Sequence, residues 1–136
     1  MLDALDRALA LRAAPLFHAL PAEALLPVAR LCTEVDLDPE DELFCEGDLG
    51  DSLYVVVSGG VRVVRGKTVL AKLGPGECVG EMAALDWEPR SATVTATAAS
   101  RLIRLDRNDL LDLLADYPEL VRAMATVLVE RLRKTS

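Results

Sequence analysis

Hydrophobic and polar positions follow three regimes along the chain. In the first, Leu2, Leu5 and Leu9 recur at helical spacing with Arg7 and Arg12 off that face, which predicts a helix with those leucines inward. Pro15 ends the run. A second helix is expected from about Pro21, a first-turn proline, carrying Leu25, Leu26, Val28 and Leu31. Residues 1–33 are thus read as N-terminal helices. In the second regime the period shortens. Val35 and Leu37 alternate with acids, and short β-prone runs follow at residues 43–45, 53–57, 61–64 and Thr68–Leu73, then at Cys78–Val79, at Thr93 to Thr95 and at residues 101–105. Ser58-Gly59-Gly60 and Gly66-Lys67 stand between runs as turns would. Many short strands at near-regular intervals predict an antiparallel barrel or sandwich over residues 34–106, and argue against βαβ units. In the third regime the helical period returns. Asp106 is placed as an N-cap with Asp109 three residues on, and Leu110, Leu111, Leu113 and Leu114 form an apolar face. Tyr117-Pro118 breaks it, and a last helix is expected to about Lys134, with Leu120, Met124, Val127 and Leu128 on one face. The glycines agree with this division: all eight lie between Gly47 and Gly80. The fold class read from the pattern is α+β, mainly β: a β-roll between helices, in one domain of residues 1–136, with a C-terminal helical part at 107–134.

Composition narrows the function. At 136 residues and 51% hydrophobic, the chain can bury the core of one domain, and with 4% aromatic residues that core is aliphatic. A net charge of -7 argues against a nucleic-acid binder and against docking on anionic lipid. An anionic ligand could bind only through local features, because the global field repels it. Cys32, Cys45 and Cys78 are odd in number and widely spaced, so they read as reduced core residues and not as a zinc site. The single histidine, His18, leaves no set of ligands for a cupin-type metalloenzyme. No uncharged run approaches a membrane span, and Asp3 and Asp6 stand where a signal peptide is basic, so a cytoplasmic protein is expected.

One stretch carries chemistry, residues 79–94, which reads VGEMAALDWEPRSATV. It opens on Gly80, has room for a short helix, and delivers Arg90 at the start of a strand. Backbone N–H groups at a helix N-terminus attract an anion, and an arginine from the next strand adds charge-assisted hydrogen bonds of roughly 1.5–3 kcal/mol each. Glu81 in the same first turn would accept from hydroxyls, as of a ribose, and would repel a second phosphate. On spacing alone, a plain Glu81–Arg90 salt bridge stands as the competing reading. Trp87 reads as a partly exposed spacer, with a place against the ligand pocket as the sharper alternative.

This stretch resembles the phosphate-binding cassette of the cyclic nucleotide-binding domain family. Gly80-Glu81-Met82-Ala83 and Pro89-Arg90-Ser91-Ala92 follow its pattern position by position. Glu46-Gly47-Asp48, the segment from Gly50 through Val56, and Leu73-Gly74-Pro75-Gly76-Glu77 resemble the family's turn-and-strand segments. The resemblance spans residues 14–134. It implies a jelly-roll-like double-stranded β-helix with the cassette at 79–92. It implies that Glu81 accepts from the ribose 2′-OH and that Arg90 pairs with the cyclic phosphate. The N–H groups of Met82, Ala83 and Ser91 would complete the phosphate shell. Gly80 would permit close approach, Ala92 follows in the motif, and Val63 and Val79 would wall the base. The last helix resembles the family's lid, with Met124, Leu128, Arg131 and Leu132 as candidates to cap the base. Ser91 after the arginine leaves the base weakly encoded; the reading favours cAMP over cGMP.

The expected function is therefore a ligand-sensing regulatory module and not an enzyme. It would use no cofactor and no metal, and its ligand would be a cyclic nucleotide. No reactive triad or P-loop is present to act on that ligand. Its output would pass to a fused or associated effector of transporter, channel or HEAT-repeat type, with a homodimer as a further possibility and no nucleic acid bound by this chain. Two other readings stay open: a degenerate module with an empty pocket, used for protein contacts, and a fragment of a catabolite-activator-type transcription regulator.

Overall fold

The computed structural model describes residues 2–81 and 89–135. Helix α1 (Ala4–Ala13) leads through a 3-10 turn (Pro15–Ala19) into α2 (Ala22–Leu31). Eight strands follow: β1 (Thr33–Leu37), β2 (Glu42–Phe44), β3 (Ser52–Ser58), β4 (Val61–Arg65), β5 (Thr68–Leu73), β6 (Cys78–Val79), β7 (Thr93–Ala96) and β8 (Ser100–Asp106). Helices α3 (Arg107–Asp116) and α4 (Glu119–Thr135) close the chain. The strands form two antiparallel sheets of order β1-β8-β3-β6 and β2-β7-β4-β5. The expected strand-rich roll between helices is what the chain adopts.

Alternation along the first sheet decides what each of its faces covers. Leu53 and Val55 of β3, Cys78 of β6, and Ile103 and Leu105 of β8 join the helices in one apolar cluster. Their neighbours Val56, Val79 and Leu102 turn the other way. They meet Val61 of β4 and Val94 of β7, from the second sheet, in a cluster inside the roll. The middle of the first sheet is therefore buried on both faces, which is why β3 reads as an unbroken apolar run, whereas the edge strand β1 alternates with acids.

The helix faces required correction. Leu5 and Leu9 lie on the outside of α1, 59% and 62% exposed, and the buried residues are Ala8 and Leu11. On α2 the inward residues are Ala24, Leu25, Val28 and Ala29, while Leu26 and Leu31 face out. The inward faces of both helices carry alanines, Ala8 on α1 and Ala24 and Ala29 on α2, small side chains that let packed helices approach closely. On α3, Leu110 and Leu113 are buried and Leu111 is exposed. Asp106 occupies the N-cap position, but its carboxylate makes no capping bond. It pairs instead with Arg104 Nη1 at 2.8 Å. Of the cysteines, Cys32 and Cys78 are buried and Cys45 is only half-buried, so the expectation of three core cysteines fails at Cys45. His18 is exposed on the 3-10 turn. Among the described residues no helix is long and apolar enough to cross a membrane.

Candidate functional site

Arg90 is 5% exposed, between the turn that precedes β3 and the chain entering β7. Its backbone is fixed first. Arg90 N–H donates to the Asp48 carbonyl at 2.7 Å, and Gly47 N–H donates to the Arg90 carbonyl at 2.8 Å. The Asp48 carboxylate in turn accepts from Cys45 N–H at 2.9 Å, which holds the turn. Because the following peptide is trans, the Ser91 N–H points opposite to the carbonyl that Gly47 occupies.

The guanidinium is held as a buried cation with neutral partners. Nη1 donates to the Gly80 carbonyl at 3.0 Å and Nη2 to the Ser52 carbonyl at 2.9 Å. Its plane lies over the Phe44 ring at 4.0 Å, and Tyr54 stands at 6.0 Å. Nε is buried and has no hydrogen-bond partner among the described residues. Burial pushes the guanidinium pKa below its ordinary value, and the positive charge of Arg107 adds to that. Tyr54, Asp51 and Glu81 pull it back up. Arg90 makes no ion pair among the described residues, so the plain Glu81–Arg90 salt bridge is not the arrangement seen.

Two glycines make the room. Gly80 has φ +87°, and a Cβ there would stand 2.6 Å from Arg90 Nη1. A Cβ on Gly50 would stand 2.2 Å from Arg90 Nε. Gly50 also ties the site to α3: Arg107 Nη2 donates to the Gly50 carbonyl, and Arg107 N–H donates to the Asp51 carbonyl at 2.7 Å. Arg107 is 6% exposed. The Asp51 carboxylate accepts from Ser52 Oγ at 2.8 Å and from Arg104 at 3.3 Å. These donors hold its carboxyl below the usual range, the Ser52 hydroxyl foremost.

Glu81 is 1% exposed and close enough to Arg90 for its charge to act there. Val79 is buried and Val63 half-buried, and both belong to the cluster inside the roll. Ala92 is buried and Ser91 exposed. Val79 and Val63 thus share that cluster, Gly80 and Glu81 follow Val79 in the chain, and Arg90 donates to the Gly80 carbonyl. Met82, Ala83 and Trp87 lie outside the described residues. The lid candidates fall elsewhere: Met124 is buried in the helical cluster, Leu128 packs against that cluster, and Leu132 is 62% exposed. The side chain of Arg131 lies outside the described residues. Among the described residues no group of His, Cys, Asp and Glu is gathered as a metal would need.

Sequence reasoning missed Phe44, Ser52 and Arg107. Ser52 acts through its carbonyl, which no residue type signals. Phe44 sits in a three-residue strand whose neighbours were not predictable. Arg107 did carry a signal: a cation in the first turn of a helix opposes the dipole, and such local misfits mark positions with another duty.

The chain is similar in sequence and fold to known proteins. The model of the cyclic nucleotide-binding domain family matches residues 34–117. The cyclic AMP receptor protein of Thermus thermophilus is 38% identical over 130 residues, covering 91% of this chain and 60% of the relative. The crystal structure of the N-terminal domain of a transcriptional regulator from Streptomyces coelicolor A3(2) is 40% identical, with a TM-score of 0.75, covering 93% of this chain and 92% of that one. The regulatory domain of Toxoplasma gondii PKA, solved with cAMP, is 33% identical with a TM-score of 0.73, covering 80% of this chain and 43% of that one. The chain spans about 60% of the length of the first curated relatives it matches.

Proposed function

We propose a function from one premise: the chain belongs to the cyclic nucleotide-binding domain family. It is a regulatory sensor whose one domain, residues 1–136, takes up a cyclic nucleotide, cAMP in preference to cGMP. The observation that carries this is Arg90, a buried guanidinium whose two hydrogen bonds go to carbonyls that a phosphate can outbid. In this reading Arg90 and the N–H groups of Met82, Ala83 and Ser91 receive the cyclic phosphate. Glu81 receives the ribose hydroxyl. Gly80 and Ala92 keep the backbone close, and Val63 and Val79 wall the base. The Toxoplasma regulatory domain was crystallised with cAMP, which supports the choice of ligand.

Binding is the whole activity: Arg90 and Glu81 supply charge and hydrogen bonds, and His18 sits exposed on the 3-10 turn, in another element. The output is a shift in the C-terminal helices. Gly50, Asp51 and Ser52 support this. Arg90 packs against Gly50 and donates to the Ser52 carbonyl, and the Gly50 and Asp51 carbonyls accept from Arg107, the first residue of α3. Pulling the guanidinium toward a ligand would loosen its bond to the Ser52 carbonyl and move the segment on which α3 is anchored. Met124, Leu128, Arg131 and Leu132 are the positions from which a moving α4 would reach the base. The effector is a fused or associated domain of transporter, channel or HEAT-repeat type, and the protein acts in the cytoplasm. A second reading has a specific support: the Streptomyces match is the N-terminal domain of a transcriptional regulator and is nearly the same length. The effector would then be a DNA-reading domain, and the genomic reading frame around this segment separates the two.

Isothermal titration with cAMP and cGMP tests the proposal. The wild-type chain should release heat with both and bind cAMP more tightly. Arg90→Lys, which keeps the charge but loses the fork, should weaken binding by about 100-fold or more, with the fold intact by circular dichroism. No heat at millimolar ligand would sink the proposal.

A further inference from the structure

Strand β4 carries Val61, Val63 and Arg65 at alternate positions, so the three share one face. Val61 and Val63 both face the cluster inside the roll. The pairing of β4 with β7 is regular, Val63 opposite Val94 and Val64 opposite Thr93, so the alternation is unbroken on β4. The irregularity on the other side skips Leu70 of β5. Arg65 therefore prolongs the interior row to the end of the strand. There its Nε donates to the Ser91 carbonyl at 3.1 Å, one residue beyond Arg90.

The head of Arg65 is exposed and makes no ion pair among the described residues. The chain has 22 acidic residues and a net charge of -7, and Arg62, Arg101 and Arg104 each pair with a carboxylate. Among the described residues Arg65 is paired with no acid and is turned onto the backbone beside the buried arginine. Among the described residues one of its five N–H donors is used, and neither Nη group has a partner there.

We propose that Arg65 is a further ligand-binding residue of this site, a second guanidinium between the phosphate end at Arg90–Ser91 and the apolar wall at Val63, which donates to the anionic phosphate of the ligand. The inference rests on the cyclic-nucleotide reading of the site. Arg90 supplies the buried, oriented contact. Arg65 supplies an exposed one, which also offsets the repulsion of the acidic surface.

Titrations of cAMP into the wild type, Arg65→Gln and Arg65→Lys, each at 50 and 500 mM KCl, test it, with a thermal melt of each variant. Arg65→Gln should weaken binding about tenfold at 50 mM, and the gap to wild type should narrow to about threefold or less at 500 mM, because an exposed charge is screened. Arg65→Lys should stay within about threefold of wild type. Two results would overturn the inference alone: Arg65→Gln binding like the wild type at 50 mM, or both variants losing affinity equally with no effect of salt, which would make Arg65 a mere peg on Ser91. Absence of heat from the wild type would overturn the cyclic-nucleotide reading, and the inference with it.

Discussion

The guanidinium of Arg90 sits between two glycines that restrict it differently. Gly80 is required twice, by its φ of +87° and by the space it leaves. Gly50 has no positive φ, so its backbone would accept alanine; the conflict there is with Arg90, which supplies the three nearest atoms, its Nε at 2.2 Å from the new Cβ. Gly50→Ala should thus destabilise the wild-type chain and cost much less in an Arg90→Ala background. Urea melts of the four proteins should give a coupling of about 1 kcal/mol or more. Equal costs in the two backgrounds would show that Gly50 makes room for something other than Arg90. At this scale the sequence was informative about charge and poor on contacts. Gly80, Glu81 and Arg90 stood out by type and spacing, but their reading as a sugar-and-phosphate pair came from the family resemblance. The partners of Arg90 could not be picked out, because two are main-chain carbonyls and a third, Phe44, arrives from a strand 46 residues earlier.

Strands were more legible than helix faces, for a physical reason. Most of the strands are short β-prone runs, several of them bounded by glycine turns, and the two faces of a strand follow from a period of two. A helix face is chosen by what packs on it. On α1 the contact is built from Ala8 and Leu11, so Leu5 and Leu9, the strongest features of the pattern, are on the wrong side. The start of α3 was placed correctly but for the wrong cause. Asp106 does not cap it; the helix is anchored by Arg107, whose N–H reaches the Asp51 carbonyl and whose guanidinium reaches Gly50. Arg107→Met removes a buried charge-assisted bond and leaves the Gly50 carbonyl without that donor, a loss of about 1–3 kcal/mol in urea melts. Hydrogen exchange should quicken in residues 107–116, and the response of that segment to cAMP should shrink. An unchanged response would separate the anchor from the signal.

Among the described residues the apolar side chains form two cores. The helical cluster takes the outer face of the first sheet, and the smaller cluster fills the roll, with Val79 of the proposed site within it and Val63 packed against it. Cys32 belongs to the first, where α2 hands over to β1. Burial pushes its thiol up to about 12 from 9.0, against the pull of Arg7. The folded chain therefore keeps a proton that the unfolded chain releases above pH 9. The associated stability is complete below pH 9 and declines by about 1.4 kcal/mol per pH unit between 9 and 12. Cys32→Ala should flatten that decline, measured as the midpoint of urea unfolding from pH 8 to 11. An identical slope in the variant would assign the alkaline loss to other groups.

The same division among the cysteines has a use at the bench. With Cys32 and Cys78 buried, the half-buried Cys45 is the most exposed of the three thiols and the one a maleimide dye should label first on the native fold. It lies at the end of β2, two residues before Gly47, whose N–H holds the Arg90 carbonyl. The unmodified chain thus carries its own attachment point for an optical reporter, beside the peptide that positions the buried arginine and without an engineered residue.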